Sequence, residues 1–158
     1  MILLLIMTFT GSITSCGNDD PDPAPVPIDD NPQLTVDPDL LGEWLLLSHE
    51  NLTSSEIINA PEAGGDITIT FSAESLEVSA QDSGFIAEPY ETREQETLAF
   101  DNIASISDDP SDWDQLFVNA VESQFFEDDG EYRLSYLVDD SSLVVSYGGN
   151  MVMNLERL

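Results

Sequence analysis

The sequence predicts a mostly β domain of the α+β class, in which antiparallel strands pack against one amphipathic helix. Residues 67–71 and 76–80 alternate apolar and polar side chains with the period of two that is typical of half-buried strands. Residues 113–121 instead place their apolar side chains at helical spacing, in a single stripe. Aromatic and branched apolar residues concentrate from Asp39 onward, so we predict one domain over residues 39–158.

The first predicted strand begins near Leu40, and its inward-facing side chains are expected to be Leu41, Trp44 and Leu46. The stretch that follows, residues 49–59, has no clear period, so its structure stays open. A turn at the glycine pair 64–65 then leads into the most regular strand of the chain.

That strand, residues 67–71, is predicted to pair with residues 76–80 as a hairpin around the short turn at residues 72–75. Residues 85–91 and 96–100 are predicted as two further short strands. The domain therefore contains several short strands before its helix.

The helix is predicted to follow residues 103–106, with an aspartate of the pair Asp108-Asp109 as N-cap and Pro110 at the first helical position. Acidic residues in its first turn complement the free amides and the positive end of the helix dipole. Its apolar stripe consists of Trp113, Leu116, Phe117, Ala120 and Val121. This stripe is expected to face the core.

Three alternating segments complete the chain, at residues 132–137, 143–147 and 151–155. Asp139-Asp140 and the stretch 148–150 supply turn residues between them. A three-stranded antiparallel meander is therefore predicted at the C-terminus.

The N-terminus carries an apolar run, residues 1–10, that is too short for the roughly 20 residues of a membrane-spanning helix and is typical of a signal peptide. The sequence Ile13-Thr14-Ser15-Cys16 follows and resembles the lipobox of bacterial lipoproteins. We therefore predict a signal peptide over residues 1–15 that is cleaved between Ser15 and Cys16. Cys16 is the single cysteine, so it has no intramolecular disulfide partner. The alternative is an incidental thiol in an ordinary secretory signal.

The lipobox resemblance implies that Cys16 carries a diacylglyceryl thioether and an added acyl chain such as palmitate, which together anchor the protein in a membrane. Residues 16–38 form the predicted tether, which is extended because proline fixes φ and neighbouring aspartates repel. The expected location is the cell envelope, as an outer-membrane lipoprotein. The pair Asp19-Asp20 leaves open whether the domain is periplasmic or exposed at the cell surface.

The charge balance is strongly acidic, with 3 basic and 32 acidic residues and a net charge of −29. Nucleic acids and anionic lipid head groups are bound through Lys and Arg, so neither is an expected partner. Self-repulsion among the acids also disfavours the folded state unless salt screens it. We therefore expect a saline working medium or loose binding of cations.

No catalytic residue, metal site or cofactor is predicted. His49 is the only histidine and has no partner cysteine, which leaves no pattern for a zinc site or a Cys/His pair. The acidic clusters at residues 108–114 and 127–131 lack the spacing of a calcium-binding EF-hand. Helix capping explains the first cluster and turn formation the second, with a calcium site as the alternative. Five aromatic residues are expected in the core, with a ligand cavity as the alternative: Trp44, Trp113, Phe117, Phe125 and Phe126.

The order of elements resembles the META domain of heat-shock HslJ-like proteins over about residues 40–158. The resemblance rests on the Gly-x-Trp opening at Gly42 and Trp44, the strand at residues 67–71, the segment Ile103-Ala104-Ser105 before a helix, and the final strand. The Gly-Cys-Asn turn that is usual in that family is replaced near Asp82-Ser83-Gly84. The resemblance implies a small antiparallel barrel-like sheet with one helix packed on it, and no enzymatic activity.

Two functions follow as expectations. The META resemblance implies an envelope lipoprotein with a role in protein binding, assembly or stress. The Gly-x-Trp opening at Gly42 and Trp44 also resembles that of lipocalins, and this implies a carrier with an interior cavity for a small apolar ligand.

Overall fold

A computed structural model describes residues 35–63, 65–80, 84–101, 103–105 and 110–158. These residues form a nearly closed, antiparallel, barrel-like sheet with one helix packed against it. The predicted fold class is confirmed.

Twelve strands and one helix are assigned in these residues. The elements are β1 (Gly42–Asn51), β2 (Glu56–Asn59), β3 (Thr68–Phe71), β4 (Leu76–Ser79), β5 (Gly84–Ala87), β6 (Tyr90–Arg93), β7 (Thr97–Phe100), β8 (Ala104–Ser105), α1 (Asp112–Glu122), β9 (Phe125–Phe126), β10 (Glu131–Val138), β11 (Ser142–Tyr147) and β12 (Met151–Arg157). The strand order is β6-β7-β10-β11-β12-β1-β3-β4-β5-β8, with β2 also pairing β1 and β9 pairing β10.

Strand β1 lies at the centre of this order and carries two of the three predicted anchors. Trp44 and Leu46 are both 0% exposed, whereas Leu41 precedes the strand and is exposed. Leu40 is buried in its place. β1 continues through His49 to Asn51, so its last residues lie in the stretch whose structure the sequence left open.

The predicted hairpin is confirmed as β3 and β4, which pair antiparallel from Thr68↔Ser79 to Phe71↔Leu76. The single strand predicted over residues 85–91 is wrong. The chain forms two strands there, β5 and β6, and they lie far apart in the strand order. The break falls at Glu88-Pro89, where Pro89 has no N–H to donate to a sheet ladder.

Helix α1 is confirmed, but its first turn differs from the prediction. The N-cap is Ser111, whose Oγ accepts a hydrogen bond from the Asp114 N–H at 3.1 Å, so the helix begins after Pro110 and not with it. Of the predicted apolar stripe, Leu116 is only half-buried and the other members are buried. Asp114 is buried as well, although it is charged and does not belong to the predicted stripe.

The C-terminal meander is confirmed as β10, β11 and β12. β12 also pairs with β1, from Trp44↔Arg157 to Asn51↔Met151. The first and last strands of the domain are therefore neighbours.

Residues 35–37, which lie within the predicted tether, contact the barrel. The Thr35 carbonyl accepts hydrogen bonds from the Thr92 N–H at 2.7 Å and the Thr92 hydroxyl at 3.0 Å. The Tyr136 hydroxyl donates to an Asp37 carboxylate oxygen at 2.9 Å. The tether residues from Cys16 to Leu34 lie outside the described residues.

Side chains of the described residues pack together in the barrel interior. The void among them that is lined by core residues such as Phe71, Phe117 and Met153 measures about 20 Å³. This volume is close to the minimum of about 10–15 Å³ that one water molecule needs, so the void is too small for a ligand in this conformation.

Candidate binding groove

Strand β2 leaves one of its edges unpaired. β1 pairs with β3 through its first half and with β2 through its second half. No strand in the described part of the chain pairs with the outer edge of β2. All four β2 residues are exposed, including Ile57 at 53% and Ile58 at 44%. β2 therefore offers both unpaired backbone and apolar side chains to solvent.

The ladder with β1 decides which backbone groups of β2 are free. The Ala60 N–H donates to the Leu47 carbonyl at 2.8 Å. Because alternate residues of a strand point their backbone groups the same way, Ile58 also faces β1, where it pairs with His49. The N–H and C=O groups of Ile57 and Asn59 then point away from β1, where an added strand takes its hydrogen bonds.

A groove of about 420 Å³ lies between β2 and the start of α1, and we call it the edge groove. Its walls come from β2, from the connection after β2 and from the first turns of α1. They are Ile58, Asn59, Pro61, Ala63, Ser111, Asp112, Trp113 and Leu116. The groove is mostly apolar and carries one charged side chain, Asp112.

The charge around the edge groove is negative. Asp112 and Asp114 occupy the first turn of α1, where they complement the positive end of the helix dipole. Glu56 on β2 and Glu62 in the following turn are both exposed. The groove therefore suits a cationic partner better than an anionic one.

His49 lies behind the groove and is fully buried. Its Nδ1 is 2.6 Å from the Tyr147 hydroxyl, and its ring meets the Trp113 ring edge to face at 5.1 Å between centroids. Burial lowers the pKa of His49 from 6.5 to about 4, because the charged imidazolium is poorly solvated there. His49 is therefore neutral at ordinary pH and packs as a polar core residue.

Several buried polar atoms near the start of α1 have no hydrogen-bond partner in the described structure. They are His49 Nε2, Trp113 Nε1 and both carboxylate oxygens of Asp114. Buried polar groups are normally paired, so this end of the barrel is less fully satisfied than an ordinary core. Trp113 belongs both to this set and to the wall of the edge groove.

All three arginines are engaged away from the groove. Arg93 pairs with Glu91 and Glu131, and Arg133 pairs with Asp129 and Glu131. Arg157 donates to backbone carbonyls, and its Cζ lies 4.2 Å from the Trp44 ring centroid. The chain has no lysine, so no other side-chain cation except a protonated His49 is available to offset the acids.

Glu131 is the centre of the two arginine pairs. Its carboxylate accepts a two-pronged hydrogen bond from Arg93, with distances of 2.7 and 2.8 Å. This contact lowers the pKa of Glu131 to about 2, with Arg133 contributing in the same direction. Glu131 therefore stays ionised through mild acid, and it belongs to a structural ion pair.

No family model matches this chain. A search of curated proteins finds no match either. Among solved structures, an NMR structure of a protein from Burkholderia xenovorans is similar with a TM-score of 0.56 at 12% identity, over 75% of this chain and 83% of that chain. The crystal structure of a DUF4847 family protein from Bacteroides vulgatus has a TM-score of 0.50 at 14% identity, over 74% of this chain and 92% of that chain. At such identities these likenesses establish the fold alone.

The predicted lipidation and cleavage residues, Cys16 and Ser15, lie outside the described residues. Their roles stay predictions. The one helix in the described residues is too short and too polar to cross a membrane.

The two acidic clusters differ in their surroundings. Asp108 and Asp109 lie outside the described residues, whereas Asp129 and Glu131 bind Arg133. Over the described ranges, no group of three or more His, Cys, Asp or Glu side chains is placed to hold a metal ion.

The five aromatic residues separate into two groups. Trp44, Trp113 and Phe117 are buried, as expected for core residues. Phe125 and Phe126 are 43% and 45% exposed, so their assignment to the core is wrong. They form the two-residue strand β9, which pairs with the start of β10 and leaves its side chains at the surface.

The edge groove itself was not predicted. The sequence holds only a weak signal for it: Ile57 and Ile58 are adjacent apolar residues, so a strand there cannot turn both toward one core face. The half-buried position of Leu116 is visible only in the structure.

Proposed function

We propose that this protein is a lipid-anchored envelope protein whose non-enzymatic domain binds an extended, basic segment of a partner protein. The segment would add as a strand to the free edge of β2 and place apolar side chains in the edge groove. The observation that carries this proposal is the free edge of β2 beside a groove of about 420 Å³.

Backbone pairing supplies the affinity in this mode of recognition. The outward N–H and C=O groups of Ile57 and Asn59 match the spacing of an added antiparallel strand. Every second side chain of the added strand faces the groove residues Ile58, Trp113 and Leu116. Because these groove residues are apolar, they favour apolar side chains at those positions of the partner.

Charge selects the kind of partner. With a net charge of −29, a second copy of this chain is repelled, whereas a strand that carries Lys or Arg is attracted. Asp112 lines the groove, and the exposed acids Glu56 and Glu62 flank the groove residues Ile58, Asn59 and Pro61 in the chain. Complementary charge also speeds association, an effect that salt weakens.

The packed interior favours surface binding over the carrier function. A ligand within the barrel would have to displace core side chains, because the void there is about 20 Å³. Pockets for drug-sized ligands usually measure about 300–1,000 Å³, which is far more than this void.

Strand addition predicts binding of a short synthetic peptide of alternating lysine and valine to the full chain in detergent, measured by fluorescence anisotropy at low salt. Ile57→Pro removes the outward N–H of β2 and leaves its ladder to β1 intact, so we expect binding to weaken by about tenfold. Ile57→Val keeps the N–H and most of the side chain, and it should bind like the unmodified protein.

Two control peptides test the mechanism. One has every lysine replaced by glutamate, and the other has N-methyl groups along one edge, which prevent strand pairing. Neither should bind. Equal binding of the N-methylated peptide would contradict strand addition, and equal binding of the glutamate peptide would contradict selection by charge. A dimer that Ile57→Pro dissociates, with no peptide binding, would assign the edge to a second copy instead.

The anchor has its own test. In cells fed labelled palmitate, the unmodified protein should take up label and Cys16→Ala should lose it completely, because Cys16 is the only thiol in the chain. Ser15→Ala keeps a small residue before the cleavage site and should still be labelled. Label that persists in Cys16→Ala would overturn lipid anchoring, and it would leave the strand-addition proposal untouched.

A further inference from the structure

A second pocket lies between the C-terminal half of α1 and the sheet. It has a volume of about 130 Å³ and shares no lining residue with the edge groove. We call it the helix pocket. Its walls include Val78 from β4, Phe85 from β5, Tyr132 from β10 and Phe117 and Val121 from α1.

We propose that the helix pocket binds a small organic ammonium ion whose apolar part is one aromatic ring or a branched alkyl group of that size. This site is independent of the free edge of β2. The proposal rests on the size of the pocket, its lining and the position of one carboxylate.

Size limits the ligand to a single ring. A protein cavity of about 150 Å³ lined by aliphatic and aromatic side chains is known to hold one benzene molecule. The helix pocket, at about 130 Å³, has nearly the same volume, and most of its lining side chains are also aliphatic or aromatic. Longer ligands meet the Phe85 and Phe117 rings, which stack at 5.9 Å between centroids.

The stacked pair separates the pocket from the barrel interior. Phe85 and Phe117, with Val78 and Val121, line both the helix pocket and the interior void. An apolar group seated in the helix pocket therefore contacts the outer side of the core without entering it. The helix pocket can therefore bind a small ligand without disturbing the packing of the barrel interior.

One carboxylate decides the charge of the ligand. Glu122 lines the pocket and its side chain is exposed, so it lies where the pocket meets solvent. Within the described residues it forms no ion pair. Arg133, next to Tyr132 in sequence, is directed elsewhere, since it binds Asp129 and Glu131 and lies 5.1 Å from the Phe126 ring centroid.

The aromatic walls favour an apolar body on the ligand. Phe85, Phe117 and Tyr132 line the pocket, and aromatic side chains provide a large apolar contact area. An anionic ligand of the same shape would meet both Glu122 and the net charge of −29. A cation with an apolar body is therefore the ligand that satisfies the whole lining.

The test uses benzylammonium as the probe, with the isotope-labelled full chain in detergent followed by NMR. We expect saturable shifts of the amide resonances of Phe85, Phe117 and Val121. Benzyl alcohol, a neutral analogue, should bind about two- to fivefold more weakly, which is the effect of one exposed charge pair. Benzenesulfonate should not bind.

Two variants separate the cavity from the charge. Val118→Phe fills the pocket from a half-buried helix position and should abolish binding of both ligands. Glu122→Gln should reduce benzylammonium binding to the level of benzyl alcohol. Glu127→Gln removes an exposed charge outside the pocket and is the matched control, with binding unchanged.

Three outcomes would overturn the proposal. These are the absence of saturable shifts, equal binding by the Val118→Phe protein, and equal losses in the Glu122→Gln and Glu127→Gln proteins. If Val118→Phe fails to fold, the comparison of the two glutamine variants decides the result alone.

Discussion

We expect the Trp44→Ala protein to lose about 3–5 kcal/mol of unfolding free energy, the usual range for removing a buried tryptophan. Trp44 is 0% exposed, and its indole N–H donates to the Leu40 carbonyl at 2.7 Å. The substitution leaves a cavity beside β1 and an unpaired buried carbonyl. Urea unfolding followed by circular dichroism measures the loss.

Arg157 also contacts the Trp44 ring and adds polar contacts to the apolar packing around it. It stacks on Trp44 and donates to the carbonyls of Leu41 at 2.8 Å and Asp39 at 2.6 Å, so it ties β12 to the chain entering β1. Gly42 has a φ of +123°, and a Cβ there would come within 3.2 Å of the Arg157 guanidinium. The Gly-x-Trp opening therefore provides both the ring and the space that Arg157 occupies.

Matched variants separate the contributions at this site. Trp44→Phe keeps an apolar ring but leaves the Leu40 carbonyl unpaired, so it should cost less than Trp44→Ala. Leu137→Ala is the surface control, because Leu137 is 61% exposed and such changes stay within about 0.5 kcal/mol. A loss below about 1 kcal/mol for Trp44→Ala would contradict the role of Trp44 as the central core anchor.

Periodicity predicted most of the fold because the main elements each bury one face. Ile69 and Phe71 on β3, and Leu76 and Val78 on β4, alternate with exposed or half-exposed residues, so the hairpin was visible in the sequence. The helix was visible for the same reason, through its stripe from Trp113 to Val121.

The errors arose where tertiary context decided the structure. Residues 85–91 look like one strand, yet the chain turns at Pro89 because β5 and β6 lie near opposite ends of the strand order. The helix began later than predicted because Ser111 caps it, although Pro110 is also suited to a first helical position. Pro89 is a local signal for the strand break, because it cannot donate to a sheet ladder, whereas local sequence does not distinguish the two helix starts.

The edge groove lay beyond sequence reasoning for a related reason. β2 has no alternation, because its residues are all exposed and β1 alone holds it in place. The groove forms only because the second half of β1 extends past β3 and brings β2 near the start of α1. No single stretch of the sequence contains that arrangement.

The proposed roles divide the chain by distance from the membrane. A lipid on Cys16, if present as predicted, would fix the location, and the predicted tether over residues 16–38 would set the reach of the domain. The edge groove and the helix pocket then offer two different surfaces, one for an extended basic segment and one for a small cation. Both proposed sites depend on an acidic surface whose three arginines bind other groups: Arg93 and Arg133 bind acidic side chains, and Arg157 binds backbone carbonyls.

Acid should destabilise this protein through His49. The pKa of this residue is about 4 in the folded state and 6.5 in the unfolded chain. Above pH 6.5 both states are neutral at His49 and the residue has no effect. Between pH 6.5 and pH 4 only the unfolded state takes up the proton, so the folded state loses stability as the pH falls.

The size of the effect follows from the shift. Each pKa unit is worth about 1.4 kcal/mol, so we expect a loss of about 3 kcal/mol between pH 6.5 and pH 4. Glu131 and Asp139 respond in the same sense, because hydrogen bonds lower their pKa values in the folded state and acid removes that stabilisation. The contribution of His49 must therefore be measured as a difference between two proteins that share all the carboxylates.

His49→Phe supplies that difference, because it keeps a buried ring and removes the titrating group. Near pH 7 the variant should be less stable by about 1–3 kcal/mol, since the Tyr147 hydroxyl loses its partner. As the pH falls toward 4, this difference in unfolding free energy between the two proteins should shrink and then change sign, by about 3 kcal/mol in total. Tyr147→Phe keeps His49 and should retain most of the acid dependence. Urea unfolding across this pH range measures the difference. A difference that stays constant with pH would show that burial against Trp113 and Tyr147 does not keep His49 neutral.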